Sequence, residues 1–301
     1  MTWLRRTNNS ALVAMATLLA IGTPASGAII VDDSWADGGR DNGVDPLDAD
    51  WWYSTASSAI EVSVGSLGLV TGTSGRGIHG TFAAQTLANI GDTLTATFTF
   101  RTPATVAPSS TAGFKIGLFD SNGSALNQDI SASSGSPNAL YNPVLGYMLD
   151  FDLNTATANV QFRERTVASG QLLATTADYT ALSSGGAVYA INANSVYTGV
   201  FSLMRTASGL DLTGSLDGPG ASTTFTASDL APSTFAFDVL AFHANSNVFG
   251  SSPAVGAADN GIDFSNIKIE FSAVPEPSSL LTCGAAAAIG VCAAALRARR
   301  R

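Results

Sequence analysis

Two aspartates, Asp150 and Asp152, stand two residues apart in the stretch GYMLDFDL (146–153). In a strand that spacing puts both carboxylates on one face with Met148, and leaves Tyr147, Leu149, Phe151 and Leu153 to the other. Paired carboxylates can act as general acid and base on a glycosidic bond, can accept hydrogen bonds from sugar hydroxyls, or can simply face water. By the same rule Arg163 and Arg165 share a face of NVQFRERTV, and His243 ends the stretch DVLAFH. An arginine that neutralises a uronate beside a histidine base is the equipment of a lyase acting on acidic sugars. Trp51 and Trp52 add aromatic faces on which sugar rings stack, although neighbours in a strand point opposite ways, so at least one of the two belongs to a core. Asp150, Asp152, Arg163, Arg165, His243, Trp51 and Trp52 are therefore the candidate glycan-binding residues.

The patterns that would turn these groups into an enzyme are missing. Before residue 274 the glutamates are Glu61, Glu164 and Glu270, and none stands in an E-x-D-x-E arrangement. No Gly-x-Ser-x-Gly elbow, phosphate loop or dinucleotide fingerprint occurs. The expectation is a non-catalytic protein, with a secreted glycosidase or lyase and a purely structural protein as the alternatives.

Two metal readings arise. Residues 32–50 hold seven aspartates punctuated by Gly38, Gly39, Gly43 and Pro46, which reads as a loop. Clustered carboxylates suit calcium, which takes six to eight oxygens, so a calcium site at Asp32, Asp33, Asp37 and Asp41 is an expectation, although the EF-hand spacing is not met. Zinc is disfavoured, since the chain has two histidines, His79 and His243, and its two cysteines, Cys283 and Cys292, lie near the C-terminus. His79, in GRGIHG, reads as a turn residue.

Between residues 29 and 273 the chain carries 22 acidic and 8 basic side chains, a net charge of −14. That balance argues against nucleic acid, whose phosphates require Lys and Arg, and against adsorption to anionic lipid. This region lacks cysteine, so an exported domain of that length must rest on a hydrophobic core, which its size can supply.

The elements that must position these residues are strands. Apolar alternation predicts them at 59–64, 80–82, 94–100, 113–119, 146–153, 159–167, 196–205, 210–216, 235–243 and 262–271, separated by Gly, Pro, Ser, Asn and Asp clusters. Thr206 to Gly209 reads as a hairpin loop with Gly209 at positive φ, and DSNGS (120–124) as a turn. The pattern predicts an all-β, two-sheet sandwich or jelly roll. The pieces GDTLTATFTF (91–100), GFKIGLFD (113–120), GYMLDFDL (146–153), YTGVFSLMRTASGLDLTGSLDG (197–218) and GIDFSNIKIEF (261–271) resemble concanavalin A-like or laminin-G-like jelly rolls. The resemblance implies a turn at Asp217-Gly218, a last strand that pairs with the start of the domain, and a tendency towards carbohydrate recognition.

The two ends read as an address. Arg5 and Arg6, an apolar run from Ala11 to Ile21, and small residues through Ala28 make a secretory signal over residues 1–28, cleaved after Ala28. A β-sandwich ectodomain over 29–273 follows. At the other end Val274, Pro275, Glu276 and Pro277 precede an uncharged 19-residue run, 278–296, close to the ~20 that span a bilayer. The basic tail 297–301 holds Arg297, Arg299, Arg300 and Arg301 on the cytoplasmic side. This order resembles the PEP-CTERM sorting signal of exosortase substrates. The resemblance implies passage through the Sec translocon, temporary anchoring in the inner membrane, processing near the Pro-Glu-Pro triplet by an exosortase, and a final place in the cell envelope or extracellular matrix. Replacing Pro275, Glu276 and Pro277 together with alanine should leave membrane insertion intact and block processing; an unchanged size shift on immunoblots would reduce the tail to an ordinary anchor.

Overall fold

The computed structural model describes residues 27–41, 47–71, 74–107, 113–133, 135–152, 160–182, 190–219, 221–250 and 261–274. The signal segment (residues 1–26 of it), Pro275 to Pro277, the 278–296 run and the basic tail lie outside the described residues. Among those described, no helix is long and apolar enough to cross a membrane.

Among the described residues fifteen strands are divided between two sheets, every pairing antiparallel. They are β1 (Ala28–Asp33), β2 (Asp50–Tyr53), β3 (Ile60–Ser63), β4 (Ser66–Val70), β5 (Arg76–Thr86), β6 (Thr93–Arg101), β7 (Gly113–Asp120), β8 (Leu145–Asp152), β9 (Val160–Arg165), β10 (Tyr179–Ala181), β11 (Val196–Arg205), β12 (Leu210–Gly218), β13 (Ala221–Asp229), β14 (Ala236–Ala244) and β15 (Gly261–Ser272). One sheet runs β13-β12-β11-β6-β15-β4-β3, with β1 also on β15; the other runs β10-β9-β8-β7-β14-β5-β2. Chain-adjacent strands such as β5 and β6, or β13, β14 and β15, lie in opposite sheets, which is jelly-roll connectivity.

Alternation explains the first sheet. In β6, Leu94, Ala96, Phe98 and Phe100 are buried while Thr93, Thr95, Thr97 and Thr99 look outward. The two inner faces meet in one aromatic core: Phe242 of β14 lies 4.4 Å from Phe264 of β15 and 5.3 Å, edge-on, from Phe98 of β6. Approach is close enough that a Cβ on Gly214 of β12 would come within 2.5 Å of Leu149 of β8.

The second sheet departs from alternation. All of β7 from Gly113 to Phe119 is buried, because its outer face has a roof. Connections 121–144 and 166–178 carry a second apolar cluster, including Leu126, Ile130, Tyr141, Leu172 and Leu173, down onto Phe119, Met148, Val239 and Ala241. Met148 thus opposes Tyr147, Leu149 and Phe151 across the sheet, as its spacing predicts.

Several expectations need correction. Asp32 and Asp33 lie in β1 and not in a loop, because that segment pairs with β15, Ala28 opposite Phe271 and Asp33 opposite Ile267. The pairing itself is the one expected of the closing strand. His79 is interior to β5, which extends well beyond 80–82. Asp217 and Gly218 still belong to β12, paired with Ser222 and Ala221, so the chain turns after them. Gly209 does take positive φ, and a Cβ there would stand 1.9 Å from the Asp229 carbonyl oxygen. Asn122 and Gly123 likewise form a turn at positive φ.

Phe242 touches rings from both sheets, so Phe242→Ala should cost about 3–5 kcal/mol by leaving a cavity the rigid sheets cannot close. Urea denaturation measures this, and a loss under 1 kcal/mol would mean the sheets are not packed through that ring.

Candidate functional site

The outer face of the second sheet carries a polar row. Paired positions in neighbouring strands share a face, and the pairings run Gly77 to His243, His243 to Lys115, Lys115 to Asp150, and Asp150 to Gln161. The adjoining row runs Trp52, His79, Ala241, Gly117, Met148, Arg163. Three candidates, Asp150, Arg163 and His243, are thereby brought onto one surface. Asp152 is the next position on that face of β8, opposite Gly113.

Roof and sheet seal half of this surface and leave the rest open. At the open end a cleft of about 480 Å³ is lined by Thr55, Arg76, Ser133, Gln171, His243 and Asn245 among others. Its shape is held by polar ties. Arg40 donates to both oxygens of Asp129, at 2.7 and 2.8 Å, and Ile130 N–H donates to the Tyr53 carbonyl at 2.9 Å. The His79 ring nitrogen Nε2 is 2.8 Å from the Leu126 carbonyl oxygen. The two connections join where Asn138 N–H donates to the Gly170 carbonyl.

Burial sets the electrostatics. His243 is almost wholly enclosed, and its Nδ1 has no hydrogen-bond partner. Loss of water, then the nearby charges of Lys115 and Arg76, push its pKa down to about 3. His79 falls to about 4, mainly through burial. Asp150 is buried with Oδ2 3.6 Å from Arg163 Nε, while its Oδ1 has no hydrogen-bond partner. Burial raises the Asp150 pKa against the opposing pull of Lys115 and Arg163. The simple water-facing reading of Asp150 therefore fails. The surface offers a neutral imidazole, a desolvated carboxyl and guanidinium groups, framed by hydroxyls and amides.

Other candidates are placed elsewhere. Trp51 points into the core, where its indole N–H donates to Asp33 at 2.8 Å and its rings lie 6.1 Å from Trp35; it cannot meet a sugar. Trp52 takes the outer face, half-buried against His79 at 5.8 Å, beside a smaller cleft of about 210 Å³ with Arg40 and Asp50. Arg165 is buried and spends its guanidinium on the carbonyls of Val144, Ser169 and Gln171, so it fastens the roof, away from the cleft beside His243. Of the four aspartates named for calcium, three already accept hydrogen bonds. Asp33 accepts from Trp35 N–H, Trp51 Nε1 and Ala49 N–H, Asp32 accepts from the Asn266 amide, and Asp37 accepts from Gly39 N–H in its own turn. Among the described residues no three His, Cys, Asp or Glu side chains converge. Lys115 and Arg76 were not anticipated. Lys115 was detectable as a lone cation inside an apolar strand, whereas Arg76 reaches the cleft only through the fold.

No protein-family model matches the chain, and a search of curated proteins gives no match. Among solved structures the chain is similar to lectin II from Ulex europaeus, at 13% identity over 82% of this chain and 100% of that one, with a TM-score of 0.45. It is also similar to peanut lectin with a 9mer peptide, at 11% identity over 84% and 100%, TM-score 0.45. A third is the Ca2+/Man2-bound exoplasmic/lumenal domain of VIP36, at 10% identity over 83% and 90%, TM-score 0.47.

The buried histidines generate a pH prediction. Unfolding lets them take up protons below about pH 6.5, which the fold resists down to about 4 for His79 and about 3 for His243. Stability is complete above that upper limit and drains as pH falls, at about 1.4 kcal/mol per pH unit for each ring. Buried acids with raised pKa, such as Asp150, act in the opposite sense, so the informative quantity is the difference between wild type and His243→Gln. Urea midpoints between pH 7 and 4.5 should fall less steeply in the variant; parallel curves would exclude a buried neutral His243.

Proposed function

We propose that this protein is an exported, non-catalytic β-sandwich protein of the cell envelope or extracellular matrix that binds polysaccharide in the cleft beside His243. The carrying observation is the cleft itself. It is a preformed concavity of about 480 Å³ framed by Thr, Ser, Asn and Gln side chains, with His243 among its lining residues. Hydroxyl-rich ligands need that density of neutral donors and acceptors. Trp52 supplies a half-exposed aromatic face on the same side of the sheet.

The address in the two termini supports delivery. Export through the Sec translocon, temporary anchoring by residues 278–296 and exosortase processing at 274–277 follow the order of the terminal segments. Val274, the residue before the triplet, donates its N–H to Asp92 at 2.8 Å. The acidic surface fits a secreted protein and not one that binds nucleic acid.

A glycosidase or lyase is the second reading, favoured by the desolvated Asp150 carboxyl beside Arg163. The deciding experiment is a glycan array with and without calcium, run beside assays for new reducing ends and unsaturated sugars. Binding without product formation, lost in His243→Ala, is expected. Release of product would transfer the protein to the enzymes, and absence of any binding would leave a purely structural matrix role.

A further inference from the structure

The charge of the cleft is opposite to that of the chain around it. The sequence holds 23 acidic and 14 basic side chains, six of the basic ones in its two ends, yet among the described residues that line the cleft the only charged side chain is Arg76 and no carboxylate appears. Lys115 stands next to His243 in register, one strand further in, and Arg163 lies two strands further across the sheet, on the neighbouring row. Arg76 is thus the cation that lines the cleft, while Lys115 and Arg163, the latter 3.6 Å from the buried Asp150, continue the row along the sheet beyond it. Arg76 spends one hydrogen bond, of 3.3 Å, on the carbonyl of its neighbour Gly75. The rest of its planar fork matches a carboxylate, which it can hold bidentately. In a protein whose surface repels anions, a basic concavity of this kind is selective by field as well as by contact. Around it Thr55, Ser133 and Asn245 offer hydroxyl and amide groups, so the anion it fits is one carried on a polyol.

We propose that the cleft selects acidic, carboxylate-bearing sugars, with Arg76 engaging the uronate carboxylate and His243 and the surrounding hydroxyls engaging the ring. This rests on the polysaccharide-binding reading and narrows it to uronate-containing glycans; sulfated glycans carry the same charge sign and form a separate arm of the test.

The full-length chain in detergent is titrated by calorimetry with trigalacturonate, its methyl ester, a neutral cello-oligosaccharide and a sulfated oligosaccharide. Trigalacturonate is expected to bind at least tenfold more tightly than its methyl ester, whose carboxyl groups carry a methyl in place of the charge, and to weaken as salt rises. Arg76→Gln should lose about tenfold for trigalacturonate and nothing for the ester, while Arg76→Lys, which keeps the charge and loses the fork, falls between the two. Arg101→Gln, the same charge change on the other sheet, should be silent, and unchanged thermal melts certify folding. Equal binding of acid and ester, or an inert Arg76→Gln, overturns acid selectivity while leaving sugar binding intact. Preference for the sulfated ligand overturns the carboxylate assignment. If none of the four ligands binds, the polysaccharide reading falls and this inference with it.

Discussion

The cleft exists because the guanidinium of Arg165 holds down its roof. A cation taken out of water is expensive, and the cost is offset only when its donors are met. Here the carbonyls of Val144, Ser169 and Gln171, from both long connections, accept from its two terminal nitrogens. One side chain thereby ties together two segments that lie outside the strands. The bidentate Arg40–Asp129 pair pins the same roof to the N-terminal part of the domain from the other side. Without such anchors the outer face of the second sheet would be an open, solvated surface, and His243 would be an ordinary exposed histidine.

This constraint also explains why the two sheets look different in the sequence. The first sheet is covered on one face, so β6 alternates Leu, Ala and Phe with threonine and could be read directly. The second is covered twice, so β7 and β14 read as largely apolar runs in which Lys115 and His243 are the exceptions worth following. Parity alone put Asp150 with Met148 and separated Trp51 from Trp52. It could not say which tryptophan was inside, because that depends on β2 pairing with β5 and on Asp33 waiting beneath the indole. Arg165 passed for a ligand-facing residue because its burial is made by loops whose path has no periodic signature. β13 escaped notice because ASTTFTASD carries one large apolar residue, Phe225, and its strand state comes from its neighbour β12.

The pKa shifts belong to the same account. His243 and His79 are enclosed by the roof and stay neutral, and Asp150 is pushed towards its protonated form by the same loss of water. Pressures of this kind collect where a protein has closed polar groups in without pairing all of them. The unsatisfied atoms of His243, Asp150 and Arg163 fall along two adjacent rows of one face and nowhere in the first sheet among the described residues.

The pairing of β1 with β15 has a kinetic meaning. Ala28 finds its partner in Phe271, so the first strand of the sandwich stays without its neighbour until nearly the whole domain has been made. Closing so large a loop is slow compared with local contacts. Completion of the first sheet therefore waits on the last strand, while neighbouring pairs such as β11 with β12 and β12 with β13 close over short distances along the chain.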